Sequence, residues 1–155
     1  MKALSLIGLC LAVLLVALVL WIRLAPFDSA AWHVDPDSVK KTAKPNQYLL
    51  SASADADGAA VVLPDRPEDV LKNINDFLQT AGQIAKILAA SEDGLFVSFI
   101  VRTPVMRYPD ILSIKLTPEG GGTRLAVYSR SRFGIRDFSV NETRVKAMLA
   151  HLNAD

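Results

Sequence analysis

From Ala3 to Ile22 the chain runs for twenty residues without a charged side chain, most of them Leu, Val, Ala or Ile. As a helix rising about 1.5 Å per residue, such a run covers about 30 Å, the hydrocarbon thickness of a bilayer. Trp21 stands at its end, where an indole suits the membrane–water interface. No polar face interrupts the run, which argues against the core helix of a soluble fold. A cleaved signal peptide is the competing reading. Lys2 supplies a positive start and Ser29-Ala30-Ala31 a run of small residues, but the apolar region of a signal is usually about 7–15 residues. Cys10 follows Leu9, whereas a lipoprotein signal wants a small residue directly before its cysteine. The expected organisation is a transmembrane anchor over 1–23, a linker and lead-in over 24–47, and a soluble domain over 48–155. Lys2 and the terminal amine lie on one side of the run; Arg23, Lys40 and Lys41 lie on the other, so the positive-inside rule does not decide orientation. A very short N-terminus ahead of a folded domain favours a translocated, periplasmic or otherwise extracytoplasmic domain. The run contains no Gly-x-x-x-Gly pair, so helix–helix pairing has little support from small-residue motifs.

The rest of the chain has no cysteine, which excludes a disulfide scaffold. Its charge is split. Residues 33–100 hold six Lys/Arg against ten Asp/Glu, a net of −4, and residues 101–155 hold nine against five, a net of +4. The basic half is rich in arginine: Arg102, Arg107, Arg124, Arg130, Arg132, Arg136 and Arg144. Either the two halves pack and neutralise each other, or the arginines form an anion-binding face.

Pro26, Pro36 and Pro45 break regular structure in the lead-in. Ser51 to Ala60 reads as a small-residue loop before a short strand at Ala60–Leu63. Asp65 and Glu68 have capping-box spacing around Pro67, and Val70, Leu71, Ile74, Phe77, Leu78 and Ala81 then recur at helical spacing up to Gly82. The period then changes. Gln83–Ala90 and Leu95–Arg102 read as strands around Ser91-Glu92-Asp93-Gly94. Ile111–Thr117 and Thr123–Ser131 read as strands around Pro118-Glu119-Gly120-Gly121-Gly122. In the last of these, Leu125, Val127, Ser129 and Ser131 share one face, and Arg124, Ala126, Tyr128, Arg130 and Arg132 the other. A closing helix follows, with Asn141 as its cap and Val145, Met148, Leu149 and Leu152 as its apolar stripe. The expected fold class is α+β: an antiparallel sheet of about four or five strands with two helices on one face, preceded by a single transmembrane helix.

Catalytic triads and metal sites need histidine, cysteine or clustered carboxylates. His33 lies in the lead-in and His151 near the C-terminus, neither with a partner at ligand spacing, and no phosphate-binding glycine loop is present. No cofactor or metal is expected. Asp110, Asp137 and Glu142 are acidic candidates whose simplest role is to pair with arginines. The segment Ser129-Arg130-Ser131-Arg132, followed by Gly134, Asp137 and Asn141, stands out. Guanidinium forks and serine hydroxyls beside a helix N-terminus suit a carboxylate or phosphate. The same residues also suit an architectural corner in which Asp137 clamps an arginine. The candidate ligand-binding residues are Arg130, Ser131, Arg132, Asp137, Asn141 and Arg144.

This segment resembles the bacterial and plastid family designated domain of unknown function 1499, in which a strand ending in Ser-Arg-Ser-Arg runs into Gly-x-x-Asp and an asparagine before a terminal helix bearing a further arginine. Here those positions are Ser129, Arg130, Ser131, Arg132, Gly134, Asp137, Asn141 and Arg144. Arg107 to Asp110 resembles the family's Phe-x-Asp-Asp stretch, with Pro109 in place of one acid, and Pro45-Asn46-Gln47 resembles its entry motif. The resemblance spans roughly residues 35–152. It implies an exported or membrane-associated protein and no reaction.

Two functions compete. One is a non-catalytic envelope module that binds a partner protein, an anionic small molecule or a lipid, with the membrane itself as partner through residues 3–22. The other is a hydrolase- or transferase-like enzyme acting on an anionic substrate through Arg130, Arg132 and Asp137. A lipid reading requires a cavity between the sheet and the last helix. Near-neutral net charge and the absence of a reading motif argue against nucleic acid.

Overall fold

The computed structural model describes residues 2–103 and 107–154, with side chains from residue 5 onward. Asp155, the last residue of the expected domain, lies outside them. Helix α1 (Lys2–Leu24) holds the one segment among the described residues, Ser5–Leu24, that is long and apolar enough to cross a membrane. None of that segment is buried against the protein. A short helix α2 (Ser29–Trp32) follows, its first turn closed by the Asp28 carboxylate accepting from the Ala30 N–H.

The described strands are β1 (Gln47–Leu50), β2 (Val61–Leu63), β3 (Ile84–Ala90), β4 (Phe96–Arg102), β5 (Pro109–Glu119) and β6 (Gly122–Ser131). They form one six-stranded antiparallel sheet in the order β1-β6-β5-β4-β3, with β2 also on β6. β1 pairs with Val127–Arg130 and β2 with Thr123–Leu125, so the two short strands share one edge of β6. β1 begins inside the stretch expected to be lead-in, which brings the sheet to six strands. The β5–β6 turn is also tighter than expected. Pro118 pairs with Thr123 and Glu119 with Gly122, leaving a two-residue turn at Gly120-Gly121. Both glycines have positive φ, 60° and 88°, as a type I′ hairpin requires.

Helices α3 (Pro67–Thr80) and α4 (Val140–Leu152) pack on the same face of the sheet. The stripe Val70, Ile74, Phe77 and Leu78 meets Val145, Met148 and Leu152 over Leu112, Ile114, Leu125 and Val127. The α+β expectation therefore holds, with both helices on one face. Two caps differ from expectation. At α3 the capping residue is Arg66, with no side-chain cap bond, because Pro67 opens the helix; the Asp65 carbonyl instead accepts from the Thr123 hydroxyl at 2.7 Å. At α4 the cap is Ser139, and Asn141 lies inside the first turn with its side chain turned into the protein.

The opposite face of the sheet is covered by residues 25–42. The Arg124 guanidinium grips Asp37 with two bonds of 2.7 and 3.0 Å, and Lys115 reaches Asp35 at 2.6 Å. His33 stacks on Phe96 with ring centres 3.8 Å apart and meets the Ser98 hydroxyl at 2.8 Å through Nδ1. Burial pushes the His33 pKa down, against the pull of Asp35. Val39 packs with Leu49 and Tyr128. The acidic lead-in and the basic strands neutralise each other here, the simpler of the two expected uses of the split charge.

Candidate functional site

The parity of β6 separates the sequence-derived candidates. Ser129 and Ser131 point toward the helices, while Arg130 and Arg132 point to the face covered by residues 25–42. Arg130 lies between Trp32, 4.5 Å from the ring centre, and Tyr128, at 5.1 Å, and donates to the carbonyls of Ala31 and Trp32. Arg132 lies over Phe27 at 4.2 Å and Phe133 at 5.0 Å and donates to the Ala25 carbonyl at 2.8 Å. Burial lowers the pKa of both guanidinium groups, and nearby Arg102 lowers that of Arg132 further. The two arginines thus hold the chain where it leaves α1. Arg130→Ala should remove a cation–π contact of about 1–2 kcal/mol. Limited proteolysis should then cut within residues 25–42 several-fold faster; an unchanged rate there would mean that Arg130 does not hold the segment.

The other four candidates converge behind the sheet. Arg144, buried, donates from Nη2 to Asp110 at 2.6 Å, from Nη1 to the Ser129 hydroxyl at 3.1 Å and the Asn141 amide oxygen at 2.9 Å, and from Nε to Gln83 at 2.8 Å. The Asn141 amide nitrogen donates to Asp137 at 2.6 Å, to the Ser131 hydroxyl at 3.0 Å and to the Asn46 carbonyl at 3.2 Å. Asp137 also accepts the backbone N–H groups of Ser139 and Asn141. The clamp expected between Asp137 and an arginine is therefore made by Asp110, with Asp137 closing the start of α4. Burial pushes the Asp110 carboxyl above the ordinary carboxylate value, while Arg144 and the Ser131 hydroxyl pull it back.

This network forms one wall of a cleft of about 410 Å³ at the end of the sheet next to α1. Asp110, Ser131 and Asp137 contribute its polar lining; Tyr108, Phe133, Phe138 and Val140 contribute most of its apolar lining. Phe138 and Val140 also border a second cleft of about 300 Å³ between the end of α3 and the start of α4, where Phe77 and Ala147 lie. The loop from β6 to α4 is unusual. Phe138 and Ser139 adopt left-handed φ of 53° and 62°, a conformation rare for a bulky side chain and costing about 1–3 kcal/mol each. The Asp137 bonds offset that cost, and the turn leaves the Phe138 ring 93 % exposed. Sequence reasoning named Ser131 and Asp137 but not Thr103, Tyr108, Phe133 or Phe138. The available signal was an aromatic pair in an otherwise polar corner, Phe133 and Phe138 around Gly134 and Asp137.

Fold and site together define a class: a small α+β domain behind an N-terminal helix able to cross a membrane, with an apolar-lined cleft beside that helix and a buried Arg–Asp pair in its wall. The chain belongs to the family described as Protein of unknown function (DUF1499), which matches residues 34–152. No curated protein matches the chain. Among solved structures, protein CV1439 from Chromobacterium violaceum is 19% identical, covering 71% of this chain and 96% of its own, with a TM-score of 0.46. Ara h 8.0201 is 11% identical, covering 62% of this chain and 93% of its own, with a TM-score of 0.45.

Proposed function

We propose that the chain is a single-pass membrane protein whose domain is a non-catalytic binding module for an amphiphile drawn from the adjacent bilayer, its apolar part held in the cleft at the start of α4. The cleft itself carries this reading: about 410 Å³, lined largely by aromatic and aliphatic side chains, and placed beside a helix of membrane-spanning length. An anionic headgroup suits the site. Arg136 lines the cleft and is exposed, whereas Arg130, Arg132 and Arg144 are engaged elsewhere. Against the enzymatic alternative, Arg130 and Arg132 lie across the sheet from Asp137, and three hydrogen bonds already occupy that carboxylate. The domain is proposed to lie outside the cytoplasm; its lack of thiols, Cys10 being in α1, suits an oxidising compartment.

The test is native mass spectrometry of the full chain in lipid nanodiscs, titrated with lysophosphatidylglycerol, which offers one acyl chain and one phosphate. A stoichiometric adduct is expected for the wild type. It should be lost in Val140→Trp, which fills the cleft from the exposed first residue of α4. No adduct in the wild type, or an equal adduct in the variant, would refute the assignment.

A further inference from the structure

The loop that borders the cleft also sits at the level of the membrane surface. The Trp21 ring, one turn before the end of α1, meets the Phe133 ring edge-on at 5.4 Å between centres. A helix rises only about 4.5 Å over the three residues from Trp21 to Leu24. Phe133 therefore lies within a few ångströms of the end of the membrane-length segment. Ile135 and Phe138 follow in the same loop and are 70 % and 93 % exposed. The loop is tied in place by the Arg132 bond to the Ala25 carbonyl and by the Asn46 amide donating to the Gly134 carbonyl at 3.0 Å. Arg136 projects from the loop between its two exposed apolar residues. Arg102 and Arg107 stand at the same end of the sheet, where Arg102 pairs with Pro109 and Arg132 donates its N–H to the Pro109 carbonyl. Exposed apolar side chains interleaved with arginines, held beside a membrane helix, match an interfacial insertion element facing anionic headgroups.

We propose that residues 133–138 form a second membrane contact: Ile135 and Phe138 enter the headgroup–acyl boundary of the bilayer that α1 crosses, and Arg136 meets the lipid phosphates. The proposal rests on the anchoring part of the reading above and deepens it, because it would open the cleft directly onto the lipid surface.

The test uses the full chain carrying Cys10→Ser in vesicles of phosphatidylcholine with a minority of phosphatidylglycerol. Nitroxide labels are placed singly at Ile135→Cys, Phe138→Cys, Val13→Cys and Glu119→Cys. Depth is read as accessibility to oxygen against a water-soluble nickel chelate. Labels at 135 and 138 are expected to favour oxygen several-fold over the label at 119, which lies in the hairpin at the opposite end of β5. Adding Arg136→Glu should move both toward water, and its failure to do so would remove the arginine from the proposal. Labels at 135 and 138 that match 119, with 13 in the bilayer, would overturn the insertion and leave the anchor standing. A label at 13 in water would overturn the anchor itself.

Discussion

Replacing Arg144 with methionine is expected to cost about 3–5 kcal/mol of unfolding free energy, because it strands the Asp110 carboxylate in the protein without its partner. The pair is almost fully enclosed, with 3% and 4% of the two side chains exposed. A domain of this size has about 5–15 kcal/mol in total, so the variant should sit at the edge of folding. Chemical denaturation with parallel fluorescence and circular dichroism measures the loss. The pH dependence identifies its cause. Burial raises the folded-state pKa of Asp110 above its ordinary 3.8, and Arg144 opposes that rise. Without Arg144 the rise must be larger. As pH increases from 3.8, the unfolded chain releases the proton first, so this group lowers stability until the folded-state pKa is passed. Acidification toward 3.8 should therefore recover part of the loss in Arg144→Met. The double variant Asp110→Asn/Arg144→Met should be more stable than Arg144→Met at neutral pH and should lack that recovery. A single variant with wild-type stability, or one with no acid recovery, would contradict the assignment of Asp110 as a buried charge.

Asn141→Ala is expected to be the second most damaging change, at about 2–4 kcal/mol, since it leaves several buried groups without partners at once. The Ser129 hydroxyl and Arg144 Nη1 would lose their acceptor; Asp137, the Ser131 hydroxyl and the Asn46 carbonyl would lose their donor. Asn141→Asp keeps the shape but turns a donor into an acceptor facing Asp137, so it should not rescue. Asp137→Asn should be milder: Asp137 is half-buried, and an amide oxygen can still accept the two backbone N–H groups. Because Ser129, Asn141 and Arg144 share bonds, losses in Ser129→Ala and Asn141→Ala should not add. A double-mutant cycle should give a coupling of about 0.5–3 kcal/mol. Simple additivity would mean that the network is a set of independent contacts.

The corner illustrates how much was legible in advance. Alternation along β6 placed Ser129 and Ser131 on one face and Arg130 and Arg132 on the other, because side chains in a strand alternate with a period of two. The helical spacing of Val70, Ile74, Phe77 and Leu78, and of Val145, Met148 and Leu152, marked the two core-facing stripes for the same kind of reason. The helix caps were less readable. Asp65 and Asn141 have the right chemistry at the right spacing, but a cap depends on where the chain enters the helix, and tertiary contacts moved both residues to other partners.

What the sequence determined by itself is local and periodic. It defined an apolar segment of membrane-spanning length, two amphipathic helices, antiparallel hairpins and the sidedness of the arginine strand, and its corner motif pointed to the family. The tertiary structure alone decided which distant groups meet. Asp110 and Arg144 are 34 residues apart, Arg132 and Ala25 are 107 apart, and Trp21 reaches Phe133 across the whole domain. No periodicity encodes such pairs, because they depend on how the lead-in folds back across one face of the sheet while α4 closes the other. The cleft is built from the ends of β4, β5 and β6 and the start of α4, so it exists only once those ends converge beside the membrane helix.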